Sequence, residues 1–342
     1  MKNAGHNVEI LTPHSSSEIK ELEEIKVKCF STRGPPGLVA FRLIKEALIG
    51  KYDLFYCHEL DPLLYSLILK RLTKKPILWD CHEYLIPMKK ELQGNLAAVL
   101  TEIGLKIAAP RVNHIVTVDN FLALELARWR PVTVIPNYPT INNFSKSKDL
   151  KPKEKPNLLY VGGLTRKRGL KIMLKAFKIA KESLDLSFTI VGGFDDKKLE
   201  KWALDYDKEN GLEIKWLGWV HYTELAPIIT KASLGLSLLQ PVGKRPRYSR
   251  AIPTKVFEYL TMGVPILTSK GPLLEKITKK GKCGVCVDPT DINQISEKII
   301  QLVEKNELTE MGRRGKEFVT GKFVWEAREK NLLKIIDKLT TS

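Results

Sequence analysis

Short β-type runs alternate with helical patterns from one end of the chain to the other. Few architectures accept that order; it is the signature of parallel sheets built from βαβ units. In the first half the strand-like runs are Val8–Leu11, Lys26–Phe30, Leu54–Cys57, Ile77–Asp80, His114–Val118 and Val132–Ile135. Helical patterns fill the gaps at Leu38–Ile49, Asp61–Leu72, Leu96–Ala108 and Asn120–Ala127. Between Asn137 and Pro156 the sequence turns polar, as a linker does. A second series follows: Asn157–Val161, Leu186–Val191, Ile214–Leu217, Leu234–Leu238, Pro265–Thr268 and Val285–Val287, with helices at Leu170–Ala180, Pro253–Met262 and Ile292–Lys305. A length of 342 residues leaves room for about two domains. The expected fold is therefore α/β: two doubly wound Rossmann-like domains facing across a cleft. Their expected limits are 1–138, a linker at 139–156, 157–322, and a closing helix at 323–342 that packs back on the first domain. Ligands of such sheets bind at the carboxyl ends of the strands.

At 43% hydrophobic and 28% charged, with Gly 22 and Pro 19, the composition excludes a disordered or collagen-like chain. No apolar run approaches the roughly 20 residues of a membrane-spanning helix. The opening MKNAGHNVEILTP lacks the pattern of a secretory signal. Five scattered cysteines, an odd number, are expected to be reduced thiols in the cytoplasm.

The net charge of +17 is uneven: residues 1–150 hold 20 Lys+Arg against 16 Asp+Glu, and residues 151–342 hold 36 against 23. One basic cluster runs from Arg166, Lys167 and Arg168 to Lys181; another comprises Lys244, Arg245, Arg247 and Arg250. From Gln240 to Lys255 there is no acidic residue. Such a loop repels itself unless an anion neutralises it. The partner is a polyanion or phosphorylated molecule, or the lysines are a solvated helix face; both readings are open. Nucleic acid is disfavoured, because aromatic residues are not interleaved with the basic clusters as strand stacking requires. The amphipathic stretch Leu96–Ala108, with the positive charge, permits peripheral contact with an acidic membrane.

Two stretches carry the chemistry. In YVGGLTRKRGLKIMLKAF, Tyr160–Phe177, a strand ends at Val161, glycines Gly162 and Gly163 follow, and a helix begins near Gly169. Backbone amides at such a turn suit phosphate, and Arg166, Lys167 and Arg168 add cations. A plain βα turn remains the alternative. In YSRAIPTKVFEYLTMGVPIL, Tyr248–Leu267, Pro253 suits a helix's first turn, and Gly263 with Pro265 ends it. Its start, with Thr254 and Lys255, can face an anion, and Glu258 can accept hydrogen bonds from vicinal hydroxyls. Glu258 can equally serve the helix dipole. In the first half, His58 and Glu59 can line a cleft or simply precede a helix capped by Asp61.

These stretches, together with WLGWV after Ile214, CGVCVDP at Cys283, HELD at His58–Asp61 and DCHEY at Asp80–Tyr84, resemble the retaining family 4 glycosyltransferases of the GT-B fold (glycosyl transferases group 1) over nearly the whole chain. The resemblance implies that Glu258 holds the nucleotide ribose, and that Arg168 stands where the family has a lysine on the donor diphosphate. Thr254 and Lys255 fall at the helix start facing the phosphates, and His82 matches a histidine near the reacting centre on the acceptor side. The chain departs from the family at Gly163, where an arginine is usual and Arg166 or Lys167 is the substitute. It departs again at Arg250, eight before Glu258, where a first glutamate is usual. The opening MKNAGHNVEIL reads as a helix end, a glycine exit and a strand, so the first strand and glycine turn of the family's amino-terminal domain are expected to be missing.

The implied activity is transfer of a sugar from a nucleotide-diphosphate sugar to a glycan or lipid-linked acceptor with retention. Neither cofactor nor metal is expected: there is no Asp-x-Asp motif, and Asp195–Asp196 reads as a solvated loop. Cys283-Gly-Val-Cys286 lacks the second pair of a zinc site. Two alternatives stay open, a sugar-nucleotide 2-epimerase of similar fold and a non-catalytic sugar-nucleotide binder.

Overall fold

Parallel strands joined by helices account for the alternation in the sequence. The computed structural model describes residues 1, 4–14, 19–22, 25–31, 33–141, 155–241 and 252–341. The chain divides into two units, Met1–Pro136 with Arg328–Ser342, and Asn137–Ala327. Most of the polar 139–156 stretch and the basic cluster Lys244–Arg250 lie outside the described residues.

The first unit holds two sheets. Strands β1 (Glu9–His14), β2 (Ile19–Leu22) and β3 (Ile25–Ser31) run in the order β1-β3-β2, with β1 parallel and β2 antiparallel to β3. Strands β4 (Phe55–His58), β5 (Ile77–Cys81), β6 (His114–Thr117) and β7 (Val132–Val134) form a parallel sheet in chain order. The sequence pattern implies one doubly wound sheet here; the described residues form two, with β1 and β4 each at an edge. Helices α1 (Pro36–Ile49), α2 (Leu60–Thr73), α3 (Leu85–Gln93) and α4 (Asn95–Ala108) connect the strands. β5 is buried along its length because it is covered on both faces, and Trp79, Ile77 and Ile115 centre the core with Leu63 of α2. Two elements escape the sequence pattern. β2 is a four-residue IKEL, and α3 carries a proline inside its first turn. Asp61 does not cap α2; it lies inside the first turn, and the cap position falls to Glu59.

The second unit is one six-stranded parallel sheet. Its strands are β8 (Asn157–Val161), β9 (Ser187–Val191), β10 (Lys215–Trp216), β11 (Leu234–Ser237), β12 (Ile266–Ser269) and β13 (Gly284–Val287). The order β10-β9-β8-β11-β12-β13 reverses between β8 and β11, the point where doubly wound sheets open a ligand crevice at the strands' carboxyl ends. Successive residues of β8 point to opposite faces. Leu158 and Tyr160 enter one apolar cluster with Phe177 and Phe188, while Leu159 and Val161 enter another with Phe257 and Leu260. A sheet covered on both faces needs unbroken apolar runs, as LLYV at 158–161 is.

The closing helix, Glu326–Thr340, returns to the first unit from Arg328 onward. There Asp337 pairs with His6 at 3.2 Å.

Candidate functional site

In the second unit, the turn after β8 is shaped by glycine. Gly162 has φ 127°, in the region that favours glycine, and a β-carbon there would stand 2.9 Å from Lys255 Nζ and 3.0 Å from Arg168 Nη1. The two cationic groups therefore converge over the strand end. Gly169, before the helix Leu170–Ser183, has φ 81°, and a β-carbon would come within 2.2 Å of the Leu238 carbonyl at the end of β11. That close approach places the turn at the switch point.

Lys255 comes from the helix Thr254–Thr261, whose start no side chain caps, with Pro253 at the cap position. Lys255 is 8% exposed, and its ammonium stacks 3.8 Å from the centre of the Tyr160 ring. Burial and then Arg168 pull its pKa down to about 7, against the pull of Glu258. The buried Lys255 and the exposed Arg168 beside it, with one carboxylate nearby, form a site short of negative charge. Glu258, three residues on, shares the face of Lys255. Burial raises the Glu258 carboxyl above its usual range, while Lys255 and a hydrogen bond from Tyr222 oppose the rise. Tyr259 anchors the helix to the sheet, its hydroxyl accepting from the Val161 amide at 2.9 Å.

The fold thus brings Gly162, Arg168, Lys255 and Glu258 together. Gly163 borders the same place, its carbonyl accepting from the Tyr160 hydroxyl at 2.9 Å. Thr254 is exposed at the helix start, and Arg166 and Arg168 are both exposed on the turn, with Arg168 and Lys255 the side chains nearest a β-carbon at Gly162. Tyr222 escapes sequence reading; its only signal is its place just beyond WLGWV. Asp196 is not a metal ligand candidate but the cap of the helix Lys197–Glu209, accepting from Lys198. Burial pushes the Cys283 thiol up to about 11, the reverse of an activated thiol.

In the first unit, a second constellation stands at the carboxyl ends of β4 and β5, where register sets His58 beside Asp80. Asp80 is buried on β5. Its Oδ2 accepts from the Tyr56 hydroxyl at 2.6 Å and lies 3.4 Å from His58 Nδ1, while its Oδ1 lies 2.7 Å from His82 Nε2. The bond with Asp80 raises the His82 pKa against the effect of burial; burial lowers that of His58. Glu59 joins the two strand ends: its amide donates to the Asp80 carbonyl, its carbonyl accepts from Trp79 Nε1, and its Oε1 accepts from the His82 amide. Its backbone is held at φ 62°, ψ −161°, a region nearly reserved for glycine. Its Oε2 is buried without a hydrogen-bond partner among the described residues. Sequence reading singled out His82 and missed Asp80 and Tyr56 as its support. The ligand atoms of His58, Asp80 and His82 lie within 4.8 Å of one another, a donor set that sequence reading did not assign.

Residues 142–318 match the family model described as glycosyl transferases group 1, and residues 1–138 match that of glycosyltransferase family 4. An uncharacterized glycosyltransferase from Methanocaldococcus jannaschii is 27% identical over 184 residues, which cover 53% of this chain and 48% of that protein. The matched stretch thus spans about half the length of the relative. Among solved structures, sucrose-phosphate synthase from Thermosynechococcus elongatus superposes with a TM-score of 0.75 at 18% identity, over 99% of this chain and 90% of that one. A glycosyltransferase from Rickettsia africae gives 0.73 at 16%, over 99% and 91%. HepE from Anabaena, in complex with UDP and glucose, gives 0.71 at 14%, over 92% and 87%. These likenesses establish a fold shared with glycosyltransferases. With one family model matching just over half its length and the other its opening 138 residues, the chain belongs to the group 1 glycosyl transferases.

Proposed function

We propose that the protein transfers a sugar from a nucleotide-diphosphate sugar to a glycan or lipid-linked acceptor, with retention of anomeric configuration and without a metal ion. The observation that carries this reading is the convergence of Arg168 and Lys255 over Gly162, with Glu258 on the same helix face. Breaking the bond between sugar and diphosphate loads negative charge on the leaving oxygen. The Gly162 amide is taken by the Val191 carbonyl. Lys255, the Gly163 amide and the helix start at Thr254 stand in place before that charge develops, with the exposed Arg168 beside them. They stabilise the transition state more than the ground state. Arg166 is assigned a mobile contact to the diphosphate, and Glu258 the ribose hydroxyls, held by Tyr222. HepE, which shares the fold, binds UDP and glucose, in keeping with this class of donor. In the first unit His82 is assigned the acceptor hydroxyl, with Asp80 holding its imidazole in one orientation. The acceptor attacks the face from which the diphosphate leaves. Five free thiols support a reducing, cytoplasmic setting, and the positive charge favours contact with an acidic surface.

Thermal unfolding with a panel of nucleoside diphosphates tests the reading. A ligand at about 100 times its dissociation constant adds about 2.7 kcal/mol of stability. One diphosphate should raise the midpoint, and Glu258→Ala should remove most of the rise. A rise that survives Glu258→Ala takes Glu258 out of the site. Incubation with the sugar nucleotide alone then separates transfer from epimerisation, since an epimer forming without acceptor rejects the transferase reading.

A further inference from the structure

α4 is apolar on two opposite sides. Ala98, Thr101, Leu105 and Ala108 face the core, as expected of a surface helix. On the other side Leu96, Leu100, Ile103 and Ile107, at intervals of four, three and four residues, are 73%, 60%, 49% and 49% exposed. α2 extends this surface. Leu64 packs on Gly104, and Lys70 Nζ donates to the Arg111 carbonyl just beyond α4, so the two helices run side by side in the same direction. That register sets Ile68 (48% exposed) level with Ile107, and Leu72 (60% exposed) one turn further. Exposed apolar residues scattered singly are ordinary; six on two adjacent helices are a patch.

Cations frame one end of it. Lys70 and Arg71 close α2, Lys106 stands in the last turn of α4 and Arg111 in the turn just after it, and Arg130 donates to the Pro110 carbonyl beside them. Burial first and Arg130 second hold the Lys70 ammonium below its usual pKa, so these cations press on one another. Among the described residues Lys106 has an acidic partner, Glu102 at 2.8 Å, whereas the oxygen partners of Lys70 are a carbonyl and the Asn113 amide. No helix among the described residues is long and apolar enough to cross a membrane. An apolar ridge with a basic rim, on helices that cannot span, fits a surface that is oily below and anionic above.

We infer that the α2–α4 face docks on the anionic headgroup surface of a lipid bilayer, with Leu96, Leu100, Ile103, Ile107, Ile68 and Leu72 entering the interface and the basic rim meeting lipid phosphates. The inference deepens the acceptor side of the proposed function toward lipid-linked acceptors, yet stands on observations that do not involve the donor site.

Vesicle co-sedimentation of the full chain tests it without donor or acceptor, so its outcome is independent of the transferase reading. Vesicles with roughly one-third phosphatidylglycerol should retain the protein, and pure phosphatidylcholine vesicles should retain far less. Leu100→Glu with Ile103→Glu should cut partitioning about tenfold or more. Arg71→Glu should cut it about fivefold, and raised salt should act in the same direction. These positions are exposed, so the thermal midpoint should hold in every variant. Equal retention by both vesicle types, no retention, or retention unchanged by the double glutamate variant overturns the proposal. So does a dimer by light scattering that the double variant dissociates while vesicles fail to bind, because the occupant is then a second copy of the chain.

Discussion

Asp80 lies beside His82, its Oδ1 2.7 Å from the imidazole Nε2, and the pair holds the histidine's proton more firmly than water does. A histidine whose pKa is raised on folding contributes stability that is present below its unfolded value and lost as pH rises through the folded one. Asp80→Asn should therefore lower the His82 midpoint, read by NMR of the imidazole. The stability gap between wild type and variant should shrink toward alkaline pH. His58, lowered by burial, should titrate below His82. An unmoved His82 midpoint removes Asp80 as its positioning residue.

Lys255 carries the opposite sign. Its pKa of about 7 lies below the lysine reference of 10.5, so the unliganded protein should gain stability as pH rises from about 7 toward that value. A bound diphosphate favours the ammonium. Binding near pH 8 should therefore take up protons, and affinity should fall by up to about tenfold per pH unit above 7. Calorimetry of binding of the nucleoside diphosphate that raises the thermal midpoint, in buffers of unequal ionisation enthalpy, measures the uptake. Equal heats in all buffers, or an uptake that persists in Lys255→Met, would assign the proton elsewhere.

Two glycines should fail in different ways. At Gly162 the neighbours of an added methyl are the ends of two long side chains, but φ 127° strains any side chain, so Gly162→Ala should lose about 1–3 kcal/mol of stability and bind the diphosphate about tenfold or more weakly. At Gly169 the neighbour is backbone, 2.2 Å away, and Gly169→Ala should cost about 3 kcal/mol or more of stability. Denaturant unfolding and ligand titration of both variants separate the two effects.

Glu59 offers a trade between stability and function. Its backbone conformation costs about 1–3 kcal/mol for a residue other than glycine. Burial also raises its carboxyl pKa. Glu59→Gly loses about 0.5–1 kcal/mol through the freer unfolded chain. The variant should thus come out about 1 kcal/mol more stable by urea unfolding and lose most of its transfer activity. A less stable Glu59→Gly would mean that the bonds of its side chain outweigh the strain.

Metal independence is the last expectation. Arg168 and Lys255 supply positive charge at the place where a divalent ion would otherwise neutralise a diphosphate. Turnover should survive excess EDTA within about twofold. An EDTA loss restored by a divalent metal, and abolished in Asp80→Asn, would instead give the His58, Asp80 and His82 set a catalytic ion.

The legible parts of the fold were those with strong local patterns. NLLYV, buried on both faces, and PTKVFEYLTMG, with a proline entry and a glycine exit, announce themselves in any context. β2 and α3 did not, because IKEL is too short and too polar to show a period, and a proline interrupts LIPMKKELQ. The division of the first unit into two sheets is set by hydrogen bonding between distant strands, which no local window contains. The proposed donor residues were readable because each of the two stretches that hold them, 162–168 and 254–258, is a short local run with its own pattern. The support of His82 was not: Tyr56 and Asp80 lie on neighbouring strands, and their pairing depends on register.

The first unit is closed by residues from Arg328 onward, on the far side of the whole second unit. A ribosome therefore delivers the last layer of the first unit only after some 190 intervening residues have emerged, the span Asn137–Ala327. The second unit, contiguous in sequence, can finish first, while the earlier half waits with its docking place for the terminal helix uncovered. Order of synthesis and order of completion are inverted between the two units, so a chain stalled or nicked after Ala327 injures the one that was made earlier.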